Sequence, residues 1–192
     1  MTLSHAIWIV TALAAFAAME GWAALLHGKV WHHALWSIHR SHHARRRGLF
    51  ERNDALSFLH APVAVALILY GCMGAPGFLR EAAFGFGLGM TAFGFAYVLV
   101  HDGLVHRRLP VSGLARVPYL ARVRDAHRVH HSTGGAPYGL FLGPLVLARR
   151  AAAAAPAAPA AAPFQAAAAA PPRSARRRAP PSVRRRAPQR AR

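Results

Sequence analysis

The apolar positions of this chain fall into long blocks rather than the short periodic clusters of a soluble helix. Ile7 to Leu26 is a twenty-residue run interrupted only by Thr11, Glu20 and Gly21, the length a helix needs to cross the hydrocarbon core of a bilayer. Two more blocks follow, and the pattern predicts three membrane spans at about 7–26, 55–79 and 82–100. A buried core helix is a poor account of three such runs in so short a chain. No Lys or Arg precedes the first run and it is longer than a usual signal h-region, so it reads as a span rather than a cleaved signal peptide. A fourth block, 137–148, is too short to cross with ease and reads as a re-entrant or interfacial segment. The expected fold class is all-α: a multi-pass membrane helical bundle with helical extensions at one end.

Charge then orients the bundle. The chain has 192 residues, 54% of them hydrophobic, yet carries 24 basic against 6 acidic side chains, a net +18. Eleven of those charges are arginines in residues 149–192, a matrix of Ala and Pro without an acid, leaving +7 on residues 1–148. Pro156, Pro159, Pro163, Pro171 and Pro172 interrupt the alanine run, so a disordered tail is expected behind a domain covering 1–148. Phe164 is the tail's one aromatic, too few for base stacking, so headgroup contact is the better reading and no specific nucleic-acid partner is expected. Lys29, Arg40, Arg45, Arg46, Arg47 and Arg52 lie between the first two spans, and Arg107, Arg108, Arg116, Arg122, Arg124 and Arg128 follow the third. Only Arg80 lies between the second and third, so the positive-inside rule makes the two basic loops cytoplasmic.

Histidine carries the chemistry. Ten of the 13 histidines form four clusters: His27 and His32; His39, His42 and His43; His101 and His106; His127, His130 and His131. The order is HxxxxH, HxxHH, HxxxxH, HxxHH. Residues at i, i+3 and i+4 share a helix face, so each HxxHH cluster is expected to aim three imidazoles into one site. An i, i+5 pair stands about 140° apart on a straight α-helix. His27 and His32 therefore converge only where the helix bends or ends, or else they serve two metals. All ten emerge at the end that the charges make cytoplasmic, which points to a multi-histidine metal site with ligands enough for two ions. Imidazole alone does not choose among Zn, Cu, Fe and Ni. The single cysteine, Cys72, excludes a disulfide framework and a Cys-based zinc site. Glu20, Glu51, Asp54, Asp102 and Asp125 are candidate acceptors for imidazole N–H groups, or else partners of nearby arginines.

The ordered strings HGKVWH (27–32), HRSHH (39–43), HDGLVH (101–106) and HRVHH (127–131) resemble the bacterial β-carotene hydroxylases, membrane non-haem di-iron enzymes of the fatty acid hydroxylase superfamily. Met19, Glu20, Trp36, Phe50, Glu51, Asn53 and Asp54 match as well, and the likeness runs from about Trp8 to Pro144. His5, His33 and His60 stay outside the ligand set. The resemblance implies a bacterial membrane enzyme that hydroxylates carbon 3 of a β-ionone ring, turning β-carotene into β-cryptoxanthin and then zeaxanthin. It implies two Fe ions held by the ten histidines, O2 as co-substrate, and electrons from ferredoxin and ferredoxin reductase. C–H hydroxylation needs a redox metal, which zinc is not. The substrate would reach the site from the bilayer through an apolar groove, for which Phe86, Met90, Phe93 and Tyr97 are candidates. Gly85 and Gly89 make a GxxxG spacing, read first as close helix packing. Other lipid hydroxylases or desaturases and carotenoid ketolases share the histidine plan. A metal transporter fits less well, because transport sites sit near the midplane and these clusters sit at span ends and in loops.

Overall fold

The computed structural model describes residues 2–44 and 50–154. Among them every regular element is helical. Helix α1 (Leu3–Leu25) starts at a capping box, with the Thr2 hydroxyl and the His5 imidazole each bonded to the other residue's backbone N–H, and passes directly into a π-helical segment, Leu26–Trp31. Helices α2 (Trp36–His43), α3 (Asp54–Phe58) and α4 (Ala61–Met73) follow. Helix α5 (Phe78–Tyr97) likewise runs into a second π-helical segment, Val98–Val105, which a 3-10 turn, Ser112–Arg116, connects to α6 (Pro118–Thr133) and then α7 (Gly143–Ala154). Gly134, at φ 68°, ends α6 in the left-handed conformation glycine adopts without steric cost.

Among the described residues three helices are long and apolar enough to cross a membrane: Leu3–Trp31, Asp54–Met73 and Phe78–Val105. Their outward faces carry large apolar side chains in the open, among them Val10 at 65%, Leu13 at 66% and Phe95 at 69% exposure. Water tolerates such a continuous apolar band poorly, whereas lipid suits it. The first and third helices run past the expected ends at 26 and 100, because the histidines interrupt the hydropathy but not the helix. The second stops earlier than 79: Gly74, Pro76 and Gly77 form the turn, and Phe78 and Leu79 already belong to α5. Residues 137–142 are irregular, and α7 continues across the boundary read at 148 as far as Ala154. Arg45–Arg47 and the tail from 155 to 192 lie outside the described residues.

Helix α5 packs on both α1 and α4. Glycine permits the first approach. A Cβ on Gly85 would run into Thr11 and the backbone of Trp8, and one on Gly89 into the Ala12 carbonyl and Ala15. The far end of this pair is tied by the Trp8 indole N–H, which donates to Glu81. On the other side of α5, Gly87 faces Ala64 and Ile68 of α4. Because α5 takes both partners, a gap remains between α1 and α4 with α5 as its floor. Met19, Ala64, Met90 and Phe93 form one buried cluster along it. A second cluster, Val100, Leu104, Val105, Val123 and Leu140, joins the second π segment to α6.

The close approach predicts that Gly85→Ala or Gly89→Ala costs about 1–3 kcal/mol of stability through overpacking. Gly94→Ala, where a Cβ meets nothing within 4 Å, should stay within about 0.5 kcal/mol. Denaturant unfolding in detergent micelles measures both.

Candidate metal centre

The two π segments answer the spacing problem posed by HxxxxH. A π-helix closes i→i+5 hydrogen bonds, and here the N–H of His32 donates to the carbonyl of His27 at 3.1 Å and that of His106 to His101 at 3.0 Å. Residues five apart are thereby brought onto one side of the helix. The sequence expectation allowed a bend, an end or two separate metals. The helix instead widens, and both members of each pair reach the same end of the bundle. Gly28 is required within the first segment, since its Cβ would stand 2.6 Å from the Tyr138 ring.

All ten clustered histidines converge. His27, His32, His39, His43 and His130 form one group whose nitrogens could hold a metal ion, and His42, His106, His127 and His131 form another. His101 adjoins the second, its Nε2 3.1 Å from that of His42. The division corrects the expected use of HxxHH. The i and i+4 members of each cluster serve one group, while the i+3 member, His42 or His130, turns to the other. The physical cause is that α2 and α6 meet across the site, so each helix presents one imidazole to the far side of its own row. The groups adjoin: the His43 and His131 rings, one from each, stack with centroids 4.4 Å apart.

The donor chemistry fits metal ions. His27 Nδ1–H donates to the Tyr138 carbonyl at 2.8 Å, His130 Nδ1–H to the Gly135 carbonyl at 2.7 Å, and His39 Nδ1–H to Asn53 Oδ1 at 2.7 Å. Glu51 lies 3.4 Å from His42 Nδ1, and Asp102 lies 3.0 Å from His101 Nδ1. A neutral imidazole has one N–H, so these Nε2 atoms keep bare lone pairs. Yet His27 and His39 bring their Nε2 atoms to 3.0 Å, and His42 and His101 to 3.1 Å. Facing lone pairs repel unless a cation lies between them. Two nitrogens about 2.1 Å from one ion and at right angles stand about 3 Å apart. His106 Nε2 is also buried without a hydrogen-bond partner.

Electrostatics agrees. Burial, reinforced by neighbouring imidazoles, pushes His32 down to about 4 and His43 and His131 down to about 3. The same causes hold His42 and His127 well below the usual histidine range. These rings are therefore neutral at pH 7, the form that ligates.

The candidate acceptors divide. Asp102 faces an imidazole, as does Glu51, but Glu20, Asp54 and Asp125 do not. Glu20 Oε1 accepts the backbone N–H of Leu142 at 2.9 Å, and Asp125 pairs with Arg124 at 2.8 Å on the surface. Asp54 takes a two-pronged contact from Arg108, both nitrogens at 2.8 Å. In each case a donor nearer than any imidazole captures the carboxylate. Asn53, and the carbonyls of Gly135 and Tyr138, were missed. Asn53 stood out only as a position matching the resembled family, with no role assigned to it, and a backbone carbonyl has no side-chain signal.

A cavity of about 670 Å³ fills the gap between α1 and α4 and extends up to Asp54, Asp102 and Arg108. Met90, Phe93 and Tyr97 line it, together with Met19, Ala64 and Gly94. Phe86 does not: it is 43% exposed on another face of α5, because that helix aims residues 90, 93, 94 and 97 at the gap. The Tyr97 ring stacks on His101 at 4.6 Å and Trp31, also lining the cavity, lies 5.7 Å from His39, so the apolar space abuts both histidine groups. His60 borders the cavity and accepts the Trp22 indole N–H at 2.9 Å.

Apolar helices ending in two adjoining histidine groups define a membrane-type helical protein with a candidate dimetal centre. The fatty acid hydroxylase family matches residues 12–145, and the chain belongs to that family. Among curated relatives, it is 50% identical over 128 residues to beta-carotene 3-hydroxylase 2, chloroplastic, of Arabidopsis thaliana, covering 66% of this chain and 42% of that protein. Beta-carotene hydroxylase 2, chloroplastic, of Capsicum annuum is 52% identical over 128 residues, 66% of this chain and 41% of its own. Beta-carotene hydroxylase of Pseudescherichia vulneris is 45% identical over 118 residues, 62% of this chain and 64% of its own. The chain thus spans about two fifths of the length of the plant relatives it matches. No solved structure matches it.

If ions hold the facing lone pairs together, chelation should destabilise the fold. At free metal 100 times its Kd an ion contributes about 2.7 kcal/mol. Thermal unfolding before and after EDTA treatment should show a lower midpoint for the stripped protein, restored by Fe(II).

Proposed function

We propose that this protein is a membrane β-carotene 3-hydroxylase, inserting one atom of O2 at carbon 3 of the β-ionone ring to give β-cryptoxanthin and then zeaxanthin. The observation that carries the reading is the apolar cavity, open between two lipid-type helices and ending against two adjoining histidine groups. The names of the relatives supply the substrate and the ring position. The metal is read as iron, two ions per chain: C–H hydroxylation needs a redox metal, and of those imidazole accepts, iron is the one the resemblance to the non-haem di-iron hydroxylases implies. His27, His32, His39, His43 and His130 would hold one ion, and His42, His106, His127 and His131, with His101 beside them, the other. When bound, the irons supply dioxygen activation. The balance is substrate C–H plus O2, two electrons and two protons giving C–OH and water, with ferredoxin and its reductase as the electron source.

The chain's own residues prepare that chemistry. Outward Nδ1–H bonds to Tyr138, Gly135, Asn53 and Asp102 leave the Nε2 lone pairs free and fix the ring planes. Arg108 bridges Asp54 and Asp102, so the two carboxylates at the cavity's inner end are held in place and share one positive charge. Trp31 and Tyr97 cover the histidines on the cavity side and exclude water. A cavity of 670 Å³ lies in the usual range for ligand sites. It accepts a ring and part of the polyene, while the rest of a C40 chain stays in lipid. The positive-inside charge pattern supports a metal centre on the cytoplasmic side of the membrane.

Expression in cells that accumulate β-carotene tests the reading. Zeaxanthin and cryptoxanthin are the expected products. A keto product, or no product from folded iron-loaded protein, would reject it. Gly94→Trp, which places an indole in the cavity where a Cβ meets nothing, should lower turnover at least about tenfold, a barrier change of about 1.4 kcal/mol, with iron still at two per chain. Phe86→Ala, off the cavity, should leave turnover and product unchanged.

A further inference from the structure

Glu20 is a carboxylate inside an apolar helix, 6% exposed, seven residues before His27 and in contact with none of the histidines at hydrogen-bond distance. A carboxyl in a membrane-type helix is costly and is kept where it has a task. Its Oε1 accepts the Leu142 N–H at 2.9 Å, while Oε2 is buried with no hydrogen-bond partner. It therefore clasps the irregular stretch that follows α6. Gly139 of that stretch lies so close that an added Cβ would stand 2.6 Å from Glu20 Oε1.

This stretch orients two of the five histidines of the first group, His27 and His130. The Tyr138 carbonyl accepts from His27 Nδ1 at 2.8 Å and the Gly135 carbonyl from His130 Nδ1 at 2.7 Å. The Tyr138 ring also packs near His27, His32 and His130, all members of that group. The second group is oriented by other means, with Glu51 facing His42 and Asp102 facing His101. The two halves of the centre thus hang on different supports.

We infer that Glu20 is a positioning residue for one half of the dimetal centre: by holding residues 139–142 it fixes the carbonyls that aim His27 and His130, and so sets the metal affinity of the first histidine group alone. The inference rests on the dimetal reading above. Loss of an outer partner of a ligating histidine typically weakens metal binding 10–100-fold. The second group, with its separate carboxylate partners, keeps its affinity.

Titration of metal-stripped, detergent-purified full-length protein with Co(II), followed by the visible absorption of the bound ion, tests this apart from activity. Wild type should bind two ions. Glu20→Ala should bind one with unchanged affinity and the other 10–100-fold more weakly. Glu20→Gln, whose amide oxygen still accepts the Leu142 N–H, should restore both. Gly139→Ala should reproduce the selective loss, since either the carboxylate or the loop must move and either movement breaks the bond. Two unweakened sites in Glu20→Ala, equal weakening at both sites, or a Gln variant as impaired as Ala would each overturn the clamp. Wild-type protein that binds no Co(II) and no Fe(II) would instead overturn the dimetal reading beneath it.

Discussion

The structure depends on one constraint: a neutral imidazole has a single N–H. Where Nδ1 spends that hydrogen on an outward acceptor, Nε2 is left as a bare lone pair. Here several such lone pairs face one another about 3 Å apart in a buried place. That arrangement suits a cation between the rings, and the elements around the centre hold the rings in it. The two π segments, the facing histidines of α2 and α6, and the irregular stretch from 134 to 142 all serve that end. Burial supplies the complementary condition, keeping the rings unprotonated at neutral pH.

The bundle below meets a second demand. A ligand soluble only in the bilayer needs an apolar path to a polar centre. Helix α5 provides it by packing on α1 and on α4 through different faces, glycines at 85 and 89 toward one and at 87 toward the other. The space left between α1 and α4 becomes the cavity. Its inner end changes character from Phe93 and Tyr97 to Asp102 and Arg108, which is where the histidines begin. A single part-buried arginine, Arg108, pairs with both Asp54 and Asp102 and offsets part of the charge those carboxylates bring beside the apolar space.

Much of this was legible beforehand because it depends on residue type and spacing. Three long apolar runs and the asymmetry of basic residues are properties of the chain itself, and they bring ten histidines to one end whatever the packing. Other elements were legible only in part. HxxxxH signalled strain on a regular helix but not its relief by widening to i→i+5. HxxHH signalled a shared face but not that His42 and His130 would turn away from their neighbours. Glu20, Asp54 and Asp125 had the right chemistry for imidazole acceptors and lost that role to nearer donors. Phe86 had the right composition for the cavity and the wrong angle on α5.

The sequence by itself determined the class of donor, the helical build and the end of the bundle at which the chemistry lies, since side-chain type, hydropathy and charge are read residue by residue. Packing decided how the clustered histidines divide between two groups and which oxygens take the Nδ1–H of His27, His39, His101 and His130. Those choices depend on where α2, α6 and the segment after α6 come to rest against one another. Residues as far apart as His27 and Tyr138, or His42 and His131, meet through packing, and no local pattern encodes the angle at which they do.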